Sequence, residues 1–195
     1  MSAYDIPTSI TIDGTTYGIR NKGDYRMVLD CFAALGDAEL TKEERVLSAL
    51  IIFYEDINDL TDIAMFNDIE KAVSEMYTFF NCGKLNKVGT QVPFKLLDWD
   101  GDAQLVSSAI NKVAGKEVRS EPYVHWWTFM GYYTSIGDCP LTVILNIRNK
   151  MMRDKKLEKA EREFKNNNPE YFEWNSATIE QQEAEDWVKS VWNQS

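Results

Sequence analysis

The chain has 195 residues, 44% of them hydrophobic, which suits one compact core and is short for two full domains. Its 31 acidic residues outnumber 21 basic ones, and this excludes general nucleic-acid binding, where phosphate contacts need a concentrated positive face. No apolar run approaches the roughly 20 residues that span a bilayer, so no membrane role is expected.

In chain order, Met1 to Pro7 has neither a basic n-region nor an apolar h-region. The three cysteines, Cys31, Cys82 and Cys139, stand far apart and read as reduced thiols of a cytosolic protein. Ser9 to Ile19 carries a hairpin signal. Asp13-Gly14 favours a type I′ turn, and Ile10, Ile12, Tyr17 and Ile19 alternate on either side. A lone hairpin is marginal in water and has to pack on the helices.

From Asp24 the period becomes helical. Tyr25, Val28, Leu29 and Phe32 form the first stripe and Gly36 is its stop. Thr41-Lys42-Glu43-Glu44 is a capping box, followed by Val46, Leu47, Leu50, Ile51, Tyr54 and Ile57. A third helix is predicted to start near Thr61 or Asp62, carry Met65, Ile69, Ala72, Val73, Met76 and Phe80, and end at Asn81-Cys82-Gly83. Residues 84–97 read as irregular, with a short strand possible around Phe94 to Leu97.

The next helix carries Leu105, Val106, Ala109, Ile110 and Val113 and stops at Gly115. A further helix is predicted from Ser120, with Pro122 in its first turn, a stripe of Tyr123, Trp126, Trp127 and Met130, and Gly137 as its end. Asp138 then caps one long helix from Pro140 through Ile144, Ile147, Met151 and Leu157 to Phe164. Pro169 breaks the pattern. Beyond it, Ala184, Trp187, Val188 and Val191 fall at amphipathic spacing, and the tail also holds Trp174 and Trp192.

Charge is segregated. Residues 37–75 hold eleven acidic and three basic side chains, whereas 148–165 hold eight basic and four acidic ones; beyond Pro169 six acids face one lysine. A basic run is ordinarily a solvated helix face, with docking on an acidic partner as the functional alternative. The tail tryptophans read either as packing or as a partner-facing stripe.

Candidate chemistry is sparse. Asp98, Asp100 and Asp102 alternate as at the start of a calcium loop, but the glycine and glutamate such a loop requires are replaced by Ala103 and Ala109. These carboxylates fit helix capping better. His125 is the lone histidine and no cysteine is near it in sequence, so neither a zinc set nor a local Cys–His signature exists, and sequence alone leaves open only a Cys–His pair formed in space. In His125-Trp126-Trp127 the expected role is structural, with the indoles in the core and the imidazole capping or bonding locally. There is no phosphate-binding glycine loop and no nucleophile elbow. No catalytic, cofactor-binding or metal-binding residues are assigned.

Taken together, Leu97-Asp98-Trp99-Asp100-Gly101-Asp102-Ala103, His125-Trp126-Trp127-Thr128-Phe129, Ile136-Gly137-Asp138 and Ile147-Arg148 resemble the phage protein fifteen family of long-tailed phages and prophages of Gram-positive bacteria. Phe53-Tyr54 and Asn81-Cys82-Gly83-Lys84 also resemble it, and the likeness spans about residues 24–165. It implies a small helical protein encoded next to the tape-measure gene. Such proteins are taken to be tail-assembly chaperones that coat the tape-measure protein until tail-tube protein polymerises around it. They are absent from the finished virion and can self-associate.

The resulting expectation is a mainly α protein: a single helical domain of about six helices, with a small N-terminal β-hairpin and a mobile C-terminal helical tail. Its segments are the hairpin (1–22), the helical domain (23–166) and the acidic, tryptophan-rich tail (167–195). The expected function is non-enzymatic, binding the tape-measure protein in the host cytoplasm, with tail-tube protein and a ring or spiral of copies as further partners. The alternative is a structural tail or head–tail component retained in the virion. Partner contact is expected at Arg148, Arg153, Lys156 and Arg162 on the long helix and at Trp187 and Trp192 in the tail.

Overall fold

The computed structural model describes residues 4–66, 68–84 and 96–173. It is mainly helical, with one two-stranded antiparallel sheet, as the hydrophobic periodicity predicts. The described chain divides into two compact units: residues 4–84 with Tyr123–Met130, and residues 96–122 with 131–173. The segment expected to be helical, 23–166, contributes to both.

The first unit opens with β1 (Ser9–Ile12) and β2 (Thr15–Gly18), joined by a two-residue turn that pairs Ile12 with Thr15. Asp13 and Gly14 both take positive φ, at 49° and 85°, as a type I′ turn demands. Alternation puts Ile12 and Tyr17 in the core, while the hydroxyls of Thr11 and Thr16 meet at 3.0 Å on the exposed face. Three helices follow: α1 (Tyr25–Leu35), α2 (Lys42–Phe53) and α3 (Ile69–Phe80). The Thr41–Glu44 capping box starts α2 as its spacing predicts, and α1 ends at Gly36. Phe53, Tyr54, Phe79 and Phe80 form an aromatic centre with edge-to-face contacts among them.

Residues 61–66 depart from the predicted helix start. Asp62–Met65 is a separate 3-10 turn, because the Asp59 carboxylate accepts from the Thr61 and Asp62 amides and closes the chain locally. The Asp68 carboxylate then caps α3 by accepting from the Lys71 amide at 2.9 Å. At the other end the chain passes through Cys82 and Gly83, both at positive φ, as the Asn81-Cys82-Gly83 signal suggests.

The second unit contains α4 (Ala103–Ala114), α6 (Pro140–Met152) and α7 (Lys159–Asn167). Gly115 closes α4 in the left-handed region. Between them α5 (Trp126–Thr134) supplies residues through Met130 to the first unit and from Gly131 to the second.

Two helices differ from expectation. The helix predicted from Ser120 begins only at Trp126 and ends at Thr134, short of Gly137. Val124 is committed to main-chain pairing: its amide donates to Asp24 and its carbonyl accepts from the Tyr25 amide. Ser120 instead closes a 3-10 turn, Val118–Ser120. The long helix predicted over Pro140 to Phe164 is two helices. After Met152, Asp154 takes φ +50°, and the Lys155 amide donates back to the Lys150 carbonyl at 2.8 Å, the six-to-one bond of a Schellman ending. Glu158 and Glu161 then form the capping pair of α7. Of the strand suggested at Phe94–Leu97, Phe94 and Lys95 lie outside the described residues and Leu96 and Leu97 are not in a strand; the tail from Trp174 onward lies outside the described residues.

Candidate functional site

His125-Trp126-Trp127 is a structural junction of the first unit. The last four carbonyls of a helix lack intrahelical donors. At the end of α3 those of Tyr77 and Thr78 accept from the Asn81 and Gly83 amides. Phe79 and Phe80 receive the two indoles: Trp127 Nε1 donates to the Phe79 carbonyl and Trp126 Nε1 to that of Phe80, both at 2.9 Å. The two adjacent tryptophans thus reach two consecutive carbonyls and fill the space beside them: Trp126 donates to that of Phe80, and Trp127 adds a second donor to that of Phe79, which also accepts from the Cys82 amide.

His125 closes the same junction. Its Nδ1 accepts from the Trp127 amide at 3.1 Å, so the imidazole caps α5. That leaves Nε2 as the protonated nitrogen, donating to the Pro7 carbonyl at 3.0 Å. Burial pushes the imidazole below its ordinary pKa and keeps it neutral. Two glycines permit this closeness. A Cβ on Gly23 would stand 2.7 Å from Phe79 Cζ and 3.0 Å from His125 Nε2, and one on Gly83 would stand 3.1 Å from the Trp127 ring.

Both ring nitrogens of His125 are therefore spent on main chain, and the Cys–His pairing that sequence alone left open is not formed among the described residues. Burial raises the Cys31 thiol, and pushes Cys82 up to about 11, the opposite of nucleophile activation. No group of three or more metal-ligating side chains occurs among the described residues, and no described helix is long and apolar enough to cross a membrane.

Arg148, expected on a partner-facing surface, is 6% exposed and turned inward. Its guanidinium pairs with both oxygens of Asp102, itself 2% exposed, and donates to the carbonyls of Leu96 (2.8 Å) and Tyr171 (2.9 Å). Asp102 also accepts from the Asp98 amide at 3.0 Å. One buried ion pair thus ties the start of α4, the middle of α6, residue 96 and the turn after α7. This also revises the capping role expected of the acidic cluster: Asp98 accepts from the Asp100 and Gly101 amides in a local turn, and Asp102 makes no side-chain bond to the amides of α4.

The remaining candidates do reach the surface. Arg153 and Lys156 lie in the turn between α6 and α7, and Arg162 lies on α7; all three are exposed and make no ion pair among the described residues. Lys150, also basic, is instead bonded to Glu161. Trp187 and Trp192 lie outside the described residues. Sequence reasoning missed one surface, the loop between α2 and α3 with the first residue of α3, where Leu60, Met65 and Ile69 are 64%, 54% and 38% exposed. Leu60 was outside every predicted stripe, and Met65 and Ile69 were assigned to a buried one. It also missed Arg20, whose guanidinium donates to the Ile51, Ile52, Tyr54 and Ile57 carbonyls and so closes the end of α2.

No curated protein and no solved structure matches the chain. One family model does, described as bacteriophage Gp15 protein, over residues 4–172. That span takes in the hairpin, the seven α-helices of the described residues, the His125-Trp126-Trp127 junction and the Asp102–Arg148 pair, and the family is one of phage structural or assembly proteins. The chain belongs to the bacteriophage Gp15 protein family.

Proposed function

We propose that this protein is a non-enzymatic tail-assembly chaperone that binds the tape-measure protein in the host cytoplasm and gives way as tail-tube protein polymerises. The observation that carries the reading is family membership over nearly the whole chain. The surface supports it. A holder of a long amphipathic helix needs apolar side chains presented to solvent beside charged ones. Leu60, Met65 and Ile69 supply the apolar part within a run of carboxylates, and Arg153, Lys156 and Arg162 supply a basic surface that makes no ion pair among the described residues. We assign partner contact to these residues and to Trp187 and Trp192. Arg148 leaves that set, because its guanidinium is enclosed by Asp102 and two carbonyls.

The test is co-expression with the neighbouring tape-measure protein, read by its soluble fraction and by pull-down. Tape measure that is insoluble alone and soluble in a complex with this chain is the expected result. Neither binding nor a change in solubility overturns the reading. Recovery of this chain from purified virions would replace it with that of a structural tail or head–tail component.

A further inference from the structure

We propose that His125 is a proton-operated latch on the junction of α3 and α5: a proton taken up at Nδ1 opens the start of α5 and frees the end of α3, while the rest of the first unit stays folded. The two ring nitrogens face main-chain groups of opposite kind. The Pro7 carbonyl, an acceptor, stands 3.0 Å from Nε2, and the Trp127 amide, a donor, stands 3.1 Å from Nδ1. Only the neutral ring protonated at Nε2 satisfies both. The cation carries N–H at both positions, so at Nδ1 one donor meets another, while the bond to Pro7 survives. What fails is the cap of α5, and it fails locally. The ring has little room to turn away, since the Phe79 phenyl stands edge-on at 5.5 Å and a Cβ on Gly23 would already touch Nε2.

The surroundings of the ring set when it opens. The Pro7 carbonyl, the Phe79 phenyl and the Trp127 indole carry no charge. Asp24 is the carboxylate that attracts the imidazolium, and it already accepts from the Val124 amide, the Arg26 amide and the Arg26 guanidinium. Asp5 and Lys22, near Pro7 and Gly23 in the chain, are exposed. Burial of the ring opposes the proton, so uptake falls below the ordinary imidazole value of about 6.5 and the latch is closed at neutral pH. Opening then spreads along the bonds of the junction. The Trp127 indole donates to the Phe79 carbonyl and lies against Gly83, so it leaves with the first turn of α5, and the turn at Asn81–Gly83 loses the ring that covers it. Trp126, fully buried and bonded to the Phe80 carbonyl, keeps the aromatic centre closed.

The lone histidine makes the test direct. The ring nitrogens and main-chain amides of the nitrogen-labelled full chain are followed by NMR from about pH 7.5 to about pH 5, which brackets the imidazole range. The Nε2–H tautomer is expected at the upper end. On titration Nδ1 takes a proton with a midpoint below about 6.5, and the Trp127, Thr128 and Gly83 amides shift with that same midpoint. Amide hydrogen exchange, corrected for its intrinsic pH dependence, is expected to quicken about fivefold at the start of α5 and the end of α3, the size expected when a helix loses its cap, and to stay unchanged in α2. His125→Asn keeps a side-chain carbonyl that accepts from the Trp127 amide but takes no proton, and is expected to remove the step. If that variant fails to fold, the wild-type titration decides alone. An Nδ1–H tautomer at neutral pH, an imidazole that stays neutral until the whole chain unfolds, junction amides that do not follow the imidazole, α2 amides that quicken by the same factor, or a folded His125→Asn with an unchanged step overturns the proposal.

Discussion

Trp126 and Trp127 look interchangeable as letters, yet their surroundings give them different weights. Trp126 is fully buried and donates to the Phe80 carbonyl, whereas Trp127 is half-buried and its acceptor, Phe79, also receives the Cys82 amide. Replacing an indole by phenyl leaves a carbonyl without that donor, at about 1–3 kcal/mol when the group is buried. Trp126→Phe is therefore expected to cost about 2–3 kcal/mol and Trp127→Phe under about 1.5 kcal/mol, measured by denaturant unfolding. Equal costs would show that the indole bonds do not set the difference. His125 adds a pH dependence with a definite sign. Burial lowers its pKa in the fold, whereas in the unfolded chain it titrates near about 6.5. Over that interval the unfolded state binds more protons, so this contribution is full above it and is lost as pH falls through it. The thermal midpoint of the wild type is expected to drop from pH 7 to pH 5 more steeply than that of His125→Gln. Parallel profiles would mean that His125 does not titrate with unfolding.

Among the elements, what was legible in the sequence was local. The Asp13-Gly14 turn, the Thr41–Glu44 box, the glycine after α1, and the Gly83 and Gly115 endings each follow from chemistry within a few residues. What was not legible depends on partners far along the chain. Ser120-Glu121-Pro122 has the form of a helix start, but Val124 pairs with Asp24 and Tyr25, a hundred residues away, and delays α5. The apolar spacing from Ile144 to Phe164 runs through Asp154 without a glycine or proline to interrupt it, and aspartate is one of the few residues that enter the left-handed region cheaply. Arg148 was read as surface because the run around it is basic; its acceptor, Asp102, lies 46 residues earlier. That pair makes a strong prediction for the second unit. Arg148→Ala or Asp102→Ala strands a buried charge and is expected to cost about 3–5 kcal/mol. The double change to Arg148→Met with Asp102→Leu removes both charges and is expected to recover most of that loss. If the double variant is as unstable as either single one, the main-chain bonds of Arg148 outweigh its charge pairing.

On the scale of the whole molecule, stability and surface separate cleanly. The two buried anchors, the tryptophan junction and the Asp102–Arg148 pair, use side chains turned inward, while the side chains of Arg153, Lys156, Arg162, Leu60 and Met65 are turned outward. This bears on the candidate site, because His125, Trp126, Asp102 and Arg148, which carried part of the family likeness, belong to the inward set. Residues that mark the family therefore mark its fold, and the surfaces that meet a partner have to be found from exposure and charge. Leu60 and Met65 are more than half exposed, and polar replacement at such positions ordinarily changes stability by less than about 0.5 kcal/mol. The double variant Leu60→Ser with Met65→Ser is thus expected to melt within a few degrees of the wild type and yet lose its hold on co-expressed tape-measure protein, which would return to the insoluble fraction. An unchanged soluble fraction would move the holding surface away from this loop and leave Arg153, Lys156, Arg162 and the tail tryptophans as the residues to vary next. A large fall in melting temperature would instead place these two side chains among those that hold the first unit together.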